Sequence, residues 1–399
     1  MSHFRLLHWN IKECDGIAIS SRSAAFCNAV GLISHQQPDL LSLNEVEYGP
    51  QSPSPYLDLF LEAITPDPKS WHQTFYAANS GQRAKPLADG TYLRFHEELS
   101  PEQREYHLDQ ANYGLFPGQF SIGLASRFPI EDRLLIRDLP WKSWDPHAPL
   151  AQLDLGGMSA EDFPLFDKSF QVSWCRFEER VFAVITLHCV PAFDFGSKFS
   201  PNVLRNAAQL EFLAWYLTGV CPEHRCPPED IRALDASMPF LAVGDFNIAL
   251  DAPHAGAKVL RSLLAHPRVQ ARVSQMPSSA LQGTRGLKAE HTFFSSGWDT
   301  SRKGAQLDYI LVSQDFVIER LETLMSAPDL QEHGLFLSET AAQEFLARHP
   351  LPAGRRYLLT STQNPQGQPL VRVRSAAEDF VALRTASDHL PLVLEARWA

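Results

Sequence analysis

The sequence predicts an α/β protein in which β-sheets and helices are stacked in layers. Seven short apolar segments have the length and composition of buried strands, and four amphipathic segments between them have helical spacing. The two kinds of segment follow one another irregularly, which favours a layered sandwich over a strict strand–helix–strand repeat. Hydrophobic residues make up 44% of the 399 residues. This is enough for a large core and excludes a globally disordered chain.

The predicted strands are short apolar runs with polar residues at their ends. They lie at residues 4–9, 40–43, 122–125, 181–187, 240–243, 309–312 and 391–394. Almost every run is flanked by an Asn, Asp, Glu or His. Polar side chains at the ends of buried strands are where a rigid sheet can present chemistry.

The predicted helices have apolar residues spaced to form one buried face. In the segment 20–36, Phe26, Val30 and Ile33 are four and three residues apart, and Pro38 ends the helix before the next strand. The other three helices are predicted at 201–217, 255–264 and 338–348.

The organisation of the chain indicates a single catalytic domain over residues 1–399. Stretches near 49–70, 83–110 and 323–378 have the character of surface insertions, and no flexible linker divides the chain. No apolar run approaches the roughly 20 residues of a membrane-spanning helix, and the first residues lack the features of a secretory signal. We therefore expect a cytoplasmic monomer without stable membrane association.

The net charge excludes one class of partner. The chain has 35 Lys and Arg against 46 Asp and Glu, a net charge of −11, which argues against coating duplex DNA by charge alone. The net charge does not exclude a nuclease that contacts only a few phosphates. Its local basic rim would come from Arg83, Lys85, Arg94, Lys198, Arg205, Arg285, Lys288, Arg302 and Lys303.

The most informative motif is Gly-Asp-Phe-Asn, directly after the strand at 240–243. Gly244 permits a sharp exit from the sheet, and extended backbone would place Asp245 and Asn247 on the same side. A carboxylate beside an amide suits activation of water next to a charged oxygen. The same residues are also common in turns.

A second motif, Ser-Asp-His-Leu-Pro at 387–391, leads into the last strand. Asp388 and His389 can offer a metal ligand and an imidazole that binds phosphate or carries a proton. Asp308 begins the strand at 309–312. If that strand neighbours the last one, the Asp308 carboxylate could fix the tautomer of His389.

Three further polar residues end buried strands. Asn10 and Glu45 follow the first two strands, and amide and carboxylate oxygens at neighbouring strand ends are ligands that Mg²⁺ accepts. His188 follows the strand at 181–187 and, taken alone, would be an ordinary buried histidine.

As an ordered set, these residues resemble the motifs of the endonuclease/exonuclease/phosphatase superfamily, in its deoxyribonuclease-like, bacterial-type form. The two motifs containing Asp245 and His389 are the most specific combination, and the matching pieces run from Trp9 to Pro391. The resemblance implies a four-layer α/β/β/α sandwich. In that fold two mixed sheets pack together, helices cover the outer faces, and the site lies at one sheet edge.

The resemblance also implies a metal site and a base. Asn10 and Glu45 would hold a divalent ion, Mg²⁺ with Mn²⁺ as a substitute, and Asp388 would lie beside it as a further metal-binding residue. Asp245 would position or deprotonate the attacking water, and Asn247 would support the phosphate.

Two catalytic histidines are implied as well. Asp308 would orient His389, which contacts the scissile phosphate, and His188 would act as an acid toward the leaving group. Deoxyribonuclease-like members orient this second histidine with an acidic residue from the middle of the chain. Residues 113–121 contain none, so we expect Gln119 or a residue of the charged insertion in its place.

The predicted activity is divalent-metal-dependent hydrolysis of a phosphoester by in-line attack of water. Within that class, a phosphodiesterase or nuclease is the preferred prediction. The partner is a phosphoester substrate, with nucleic acid as one candidate. One alternative is a phosphomonoesterase or a sphingomyelinase-like phospholipase, for which Trp141 and Trp144 could contact lipid unless they pack inside. The other is a catalytically inactive binding scaffold.

Overall fold

A computed structural model describes residues 2–49, 56–94, 100–272, 305–324 and 331–399. The strands are β1 His3–Cys14, β2 Leu40–Val46, β3 His72–Tyr76, β4 Ser121–Ser126, β5 Ile130–Ile136, β6 Phe170–Phe177, β7 Arg180–His188, β8 Phe240–Asp245, β9 Asp308–Val312, β10 Phe316–Thr323, β11 Gln331–Leu337, β12 Arg355–Gln363, β13 Pro369–Ala377 and β14 Leu392–Trp398. The helices are α1 Gly16–Ser20, α2 Ala24–Gln36, α3 Tyr56–Ile64, α4 Pro101–His107, α5 Trp141–Trp144, α6 Asn202–Thr218, α7 Ala255–Leu264, α8 Glu339–Arg348 and α9 Glu378–Ala386.

Two mixed sheets form the centre of the molecule. The first has the strand order β10-β14-β1-β2-β4-β3 and the second β5-β6-β7-β8-β9. Within each sheet one neighbouring pair is parallel, β1 with β2 and β7 with β8, and the remaining pairs are antiparallel. The carboxyl ends of each parallel pair therefore lie side by side at one edge of their sheet.

Three hydrophobic cores separate four layers. The core between the sheets includes Phe4 and Leu394 from the first sheet and Val184 and Val243 from the second. Helices α2 and α3 pack on the outer face of the first sheet, and α6 and α7 cover the outer face of the second. The predicted four-layer α/β/β/α sandwich is confirmed, because each sheet buries both of its faces.

All seven predicted strands are strands, and the helix boundaries move by a few residues. The helix predicted at 20–36 is split, since Ser23 accepts a hydrogen bond from the backbone N–H of Phe26 and caps a new helix that begins at Ala24. Seven of the described strands were not predicted, namely β3, β5, β6, β10, β11, β12 and β13. The physical reason is clearest for β5. It lies at a sheet edge and exposes Glu131, Asp132 and Arg133 in succession, so its sequence lacks the alternation by which strands are recognised.

The three predicted insertions contribute ordered elements where they are described. Residues 323–378 contain an antiparallel sheet of order β11-β13-β12 and helix α8, and Leu358 of this sheet forms a small core with Phe380 and Val381 of the following helix, α9. The segment 49–70 contains α3, whose Leu57 and Phe60 are buried. Within the described ranges, no helix combines the length and apolar character needed to cross a bilayer.

Candidate active site

The strand ends of the two sheets meet at one place. In the second sheet, Asp245 lies opposite both His188 on β7 and Asp308 on β9. In the first sheet, Asn10 pairs in register with Asn44, next to Glu45. Because a register fixes which residues are neighbours across strands, these pairings bring distant parts of the chain together.

Gly244 is needed for a reason other than the predicted turn. The strand continues through Gly244 to Asp245, with no sharp exit from the sheet. A Cβ at this position would overlap the backbone carbonyl oxygen of Leu187 on the neighbouring strand. Glycine therefore permits the close approach of β7 and β8 that holds Asp245 beside His188.

Asp245 and Glu45 are joined through one amide. Asn10 Nδ2 donates to Glu45 Oε1 at 2.9 Å and to Asp245 Oδ2 at 3.1 Å. The backbone N–H of Asn247 donates to Asp245 Oδ1 at 2.8 Å, and the Asn247 side chain donates to the Cys189 carbonyl at 2.9 Å. The contact between Asn10 and Asp245 crosses from one sheet to the other, so it fixes the two carboxylates relative to each other.

Backbone conformation at the end of the first sheet is unusual. Lys12, Glu13 and Glu45 have φ values of 46°, 48° and 66°, in the left-handed region that non-glycine residues rarely adopt. Such residues cost on the order of 1–3 kcal/mol each and cluster at functional sites. The backbone N–H of Glu13, one of these residues, donates a hydrogen bond to Glu45 Oε2 at 3.0 Å.

His389 and Asp308 form a buried ion pair. His389 Nδ1 lies 2.7 Å from Asp308 Oδ2. Burial by itself would lower the pKa of His389, but the negative charges of Asp308, Asp245 and Asp388 outweigh burial and raise it to about 10. Burial likewise opposes ionisation of Asp308, yet the positive charge of His389 and hydrogen bonds from two imidazoles bring its pKa well below the usual range. The pair is therefore an imidazolium and a carboxylate at neutral pH.

The carboxyl groups of Asp245 and Glu45 are harder to ionise. Burial, with a further contribution from the charge of Asp308, raises the pKa of Asp245 to about 7. Burial is also the main reason that the pKa of Glu45 is raised. A carboxylate with a pKa near 7 is suited to accept a proton at neutral pH.

His188 lacks the predicted orienting partner. Its Nε2 is 3.6 Å from Asp245 Oδ2, while its buried Nδ1 has no hydrogen-bond partner among the described residues. Gln119 is therefore not that partner, and its side-chain oxygen accepts instead from the backbone N–H of Leu115. Burial and then the positive charge of Lys168 keep the pKa of His188 well below its ordinary value, so the ring is neutral.

Six of the eight predicted site residues line one cavity of about 800 Å³: Glu45, His188, Asp245, Asn247, Asp388 and His389. The other two, Asn10 and Asp308, lie directly behind and hydrogen-bond to lining residues. The structure thus brings the whole predicted set together at one sheet edge.

The donor set at one side of the cavity fits a hard divalent cation. Glu45 and Asp388 supply carboxylate oxygens, which Mg²⁺ prefers. Asn10 is oriented with its amide nitrogen toward Glu45 and Asp245, and its oxygen accepts from the backbone N–H of Lys12. In this orientation it is a bridge between the carboxylates, so the carboxylates are the candidate ligands.

A second group of possible ligands fits a cation less well. Ligand atoms of Asp245, Asp308 and His389 all lie within 4.8 Å of one another. An imidazole must be neutral to ligate a metal, whereas the pKa of His389 is about 10 and its Nδ1 faces Asp308. This trio is better described as a charge-paired hydrogen-bond cluster.

Two features of the site were missed from sequence. Fully buried His8 has Nε2 3.2 Å from Asp308 Oδ1, and it could have been found, because it lies two residues before Asn10 and shares its strand face. Lys168 is buried at the cavity wall with Nζ 2.6 Å from Asp167 Oδ2. No signal in the sequence separates Lys168 from other lysines.

Two members of the predicted basic rim already have protein partners. Arg205 lines the cavity but is buried, and its guanidinium donates to the carbonyl oxygens of Ala111, Leu165 and Pro164. Arg94 pairs with Glu47.

Four more members of that rim, namely Arg285, Lys288, Arg302 and Lys303, lie outside the described residues. Trp141 and Trp144 are 1% and 0% exposed, so they pack in the core and are not available to a lipid.

Comparison with known proteins gives matches among solved structures only; no protein-family model and no curated protein matches the sequence. Similar structures include an endonuclease/exonuclease/phosphatase family protein from Leptotrichia buccalis, at 10% identity and a TM-score of 0.47 over 99% of this chain and 100% of that one. Bacteroides thetaiotaomicron mannosyl-6-phosphatase has 12% identity and a TM-score of 0.46, with coverage of 99% and 100%. The human Nocturnin catalytic domain has 15% identity and a TM-score of 0.45, with coverage of 100% and 95%.

Further endonuclease/exonuclease/phosphatase family proteins are among the similar solved structures. The three structures described above have identities of 10–15% and TM-scores below 0.5, so no property of this chain is inferred from them. The function of this chain is therefore argued from its own site.

Proposed function

We propose that the protein is a divalent-metal-dependent phosphodiesterase of the endonuclease/exonuclease/phosphatase superfamily. The observation that carries the proposal is the proximity of a carboxyl group with a pKa of about 7 and a buried imidazolium. The first is Asp245 and the second is His389, and His389 Nε2 lies 3.9 Å from Asp245 Oδ2. A base and a positive hydrogen-bond donor at this spacing can act on the same phosphate group, the base on the attacking water and the donor on a non-bridging oxygen. In-line displacement at phosphorus needs both an activated nucleophile and stabilisation of the charge on those oxygens.

Each side chain has a defined task in this proposal. Asp245 accepts the proton of the attacking water. His389, held by Asp308, donates to a non-bridging phosphate oxygen and stabilises the charge that spreads there in the transition state. His188, neutral and in the same cavity, donates a hydrogen bond toward the leaving oxygen, and Asn247 lies at the cavity wall where its amide supports the phosphate.

Glu45 and Asp388 are the residues that would hold the metal ion. When bound, a divalent cation supplies positive charge that polarises the phosphoryl group. Lys12 Nζ lies 2.8 Å from Asp388 Oδ2 and adds a further positive charge at this side of the cavity. We propose Mg²⁺ as the ion, with Mn²⁺ as a substitute, because the donors are oxygen atoms.

The charge of the cavity favours a diester over a monoester. Its wall has more carboxyl groups than cationic side chains: Glu13, Glu45, Asp154, Asp167, Asp194, Asp245 and Asp388 stand against Lys12, Lys168, Arg205 and the imidazolium of His389. A phosphodiester carries one negative charge, whereas a phosphomonoester carries nearly two at neutral pH. The monoester is therefore repelled more strongly.

The test compares two chromogenic substrates. Purified protein is assayed with bis(p-nitrophenyl) phosphate and with p-nitrophenyl phosphate, in Mg²⁺, Mn²⁺ or EDTA. We expect metal-dependent turnover of the diester, with Asp245→Asn inactive and the exposed control Asp132→Asn unchanged. Preference for the monoester would establish the phosphatase alternative, and no turnover with either substrate in any metal would support the inactive scaffold.

One observation favours a lipid phosphodiester as a second candidate substrate. Phe193 and Phe195 are 57% and 69% exposed, their rings contact edge to face at 5.0 Å, and Phe195 lines the cavity. Exposed aromatic rings at a cavity mouth can enter a lipid surface or stack on a nucleobase. Hydrolysis of zwitterionic phospholipid vesicles compared with single-stranded DNA separates these two substrates.

The cytoplasmic location and the monomeric state stay predictions from the sequence. They do not affect the choice between the two substrates.

A further inference from the structure

The carboxylate of Asp308 contacts two imidazoles, and only one of them belongs to the proposed reaction. Oδ2 faces His389, while Oδ1 faces Nε2 of His8 at 3.2 Å. The other nitrogen of His8, Nδ1, lies 3.1 Å from the hydroxyl oxygen of Ser42. The result is a continuous chain of hydrogen bonds that runs from Ser42 through His8 and Asp308 to His389.

The hydrogen-bond directions in this chain follow from the ionised state of Asp308. An ionised carboxylate can only accept, so His8 must carry its proton on Nε2 and donate it to Asp308 Oδ1. In this tautomer Nδ1 accepts a hydrogen bond from the Ser42 hydroxyl. One tautomer of His8 thus satisfies both of its nitrogens, and both His8 and Ser42 are fully buried.

The position of His8 in the fold gives this contact its consequence. His8 and Ser42 lie in register on β1 and β2 of the first sheet, and His389 precedes β14 of the same sheet. Asp308 begins β9 of the second sheet. The bond from His8 to Asp308 therefore crosses the interface between the sheets, beside the site.

A carboxylate needs more than one such contact to keep its orientation. The terminal torsion of an aspartate is broad and roughly two-fold, so a carboxylate attached to His389 through Oδ2 alone could rotate and carry the ring with it. A second donor on Oδ1, fixed to the opposite sheet, restricts that rotation.

We propose that His8 is a positioning residue of the active site, which acts through Asp308 to hold the His389 ring in its productive orientation. The role concerns the phosphodiesterase reaction and rests on the proposed function for its kinetic consequence. Its geometric consequence, the orientation of His389, does not depend on any activity.

The kinetic test uses two substitutions of His8. His8→Phe keeps the ring volume and removes both nitrogens, whereas His8→Gln places an amide N–H near the former Nε2 position. For His8→Phe we expect kcat for the diester to fall by about 10–100-fold, the range found for residues that orient site groups indirectly, with KM nearly unchanged. His8→Gln should recover most of the loss, and the exposed control on the same strand, His3→Phe, should have no effect.

The decisive arm combines His8→Phe with Asp308→Asn. If His8 acts through Asp308, its substitution costs nothing further once the carboxylate is gone, because residues that act as a unit are non-additive. An equal loss of kcat in both backgrounds would show that His8 acts on folding or elsewhere, and would overturn the proposal. Unchanged kcat in folded His8→Phe would overturn it as well.

A spectroscopic arm separates this proposal from the proposed function. The Nδ1 proton of His389, hydrogen-bonded to Asp308, gives a low-field proton NMR resonance that Asp308→Asn removes and thereby assigns. We expect His8→Phe to shift or broaden this resonance and His8→Gln to restore it, whether or not any phosphodiester is hydrolysed. An unaltered resonance in His8→Phe would refute the positioning role even if the enzyme proves active.

Discussion

Asp245 is expected to lower the stability of the fold while it supports the reaction. Its carboxylate is buried close to the carboxylate of Asp308, and its pKa is raised from 3.8 to about 7 by burial first and by that neighbouring charge second. Asp245→Asn removes the charge at nearly constant shape. We therefore predict a variant that is inactive and, at alkaline pH, more stable than the wild type.

The size of the effect follows from the pKa shift. Below pH 3.8 the group is protonated in both the folded and unfolded states and contributes nothing. Between 3.8 and about 7 only the unfolded state releases the proton, so the free energy of unfolding falls as pH rises, and above 7 the cost is constant. The pKa of Asp245 rises by roughly three pH units, and roughly two of these lie above pH 5. Each pH unit changes the free energy of unfolding by about 1.4 kcal/mol. Between pH 5 and pH 9 the wild type should lose roughly 3 kcal/mol relative to Asp245→Asn.

A second effect destabilises Asp245→Asn by the same amount at every pH. The Asp245 oxygen that faces Asn10 Nδ2 becomes an amide group in the variant, and the loss of one hydrogen bond costs about 1 kcal/mol. Near pH 5 the two terms are of similar size, and by pH 9 the variant should be clearly more stable. Because both proteins share every other titrating group, their difference isolates Asp245.

Urea unfolding at pH 5, 7 and 9 in EDTA, followed by tryptophan fluorescence, measures this difference. The chelator keeps metal binding from adding its own stabilisation. The diester assay on the same preparations should show a loss of kcat of about 10²–10⁴-fold, the usual worth of a general base. A variant less stable than the wild type at pH 9, or one that retains more than about a tenth of the activity, would refute the reasoning.

Four other outcomes can be checked independently. Gly244→Ala should lower the free energy of unfolding by about 1–3 kcal/mol in urea titrations, because its methyl group would overlap a carbonyl oxygen of β7, whereas Gly31→Ala, on an exposed helix position with open space, should raise it by about 0.5–1 kcal/mol. Glu45→Gln should weaken Mg²⁺ binding by about tenfold or more in calorimetric titrations, since a carboxylate ligand is lost; unchanged affinity would place the ion elsewhere. The alkaline limb of the pH profile of kcat/KM should lie near pH 10, because His389 must stay protonated and its pKa is about 10; a limb near 6.5 would contradict its pairing with Asp308. His389→Ala and Asp308→Ala should be non-additive in kcat, and a double variant whose loss equals the product of the single losses would show that the two act separately.

Much of the fold could be predicted because its signals are local. The seven apolar runs are strands, and the polar residues that follow them lie at sheet ends. Seven other described strands were not predicted from the sequence. For β5 the reason is that an edge strand with three successive exposed charges has no hydrophobic alternation. The four-layer order came from the resemblance of the motifs and is confirmed by the three cores.

The site was predicted as a set of residues, and their roles stay predictions. All eight lie in or directly behind one cavity. The role of Asn10 as a metal ligand stays a prediction, and in the structure its amide nitrogen donates to Glu45 and Asp245. Sequence reasoning also expected an orienting partner for His188 that the described residues do not supply.

The sequence alone determined which chemical groups are present and which face of a strand each one occupies, because alternation along a strand depends only on neighbouring residues. Only the tertiary structure decided which groups meet. His8 contacts Asp308 across 300 positions of the chain, and Asp245 has a raised pKa because the packing of two sheets excludes water around it and sets another carboxylate nearby. Distance and burial are properties of the packed sheets, and local sequence patterns do not encode them.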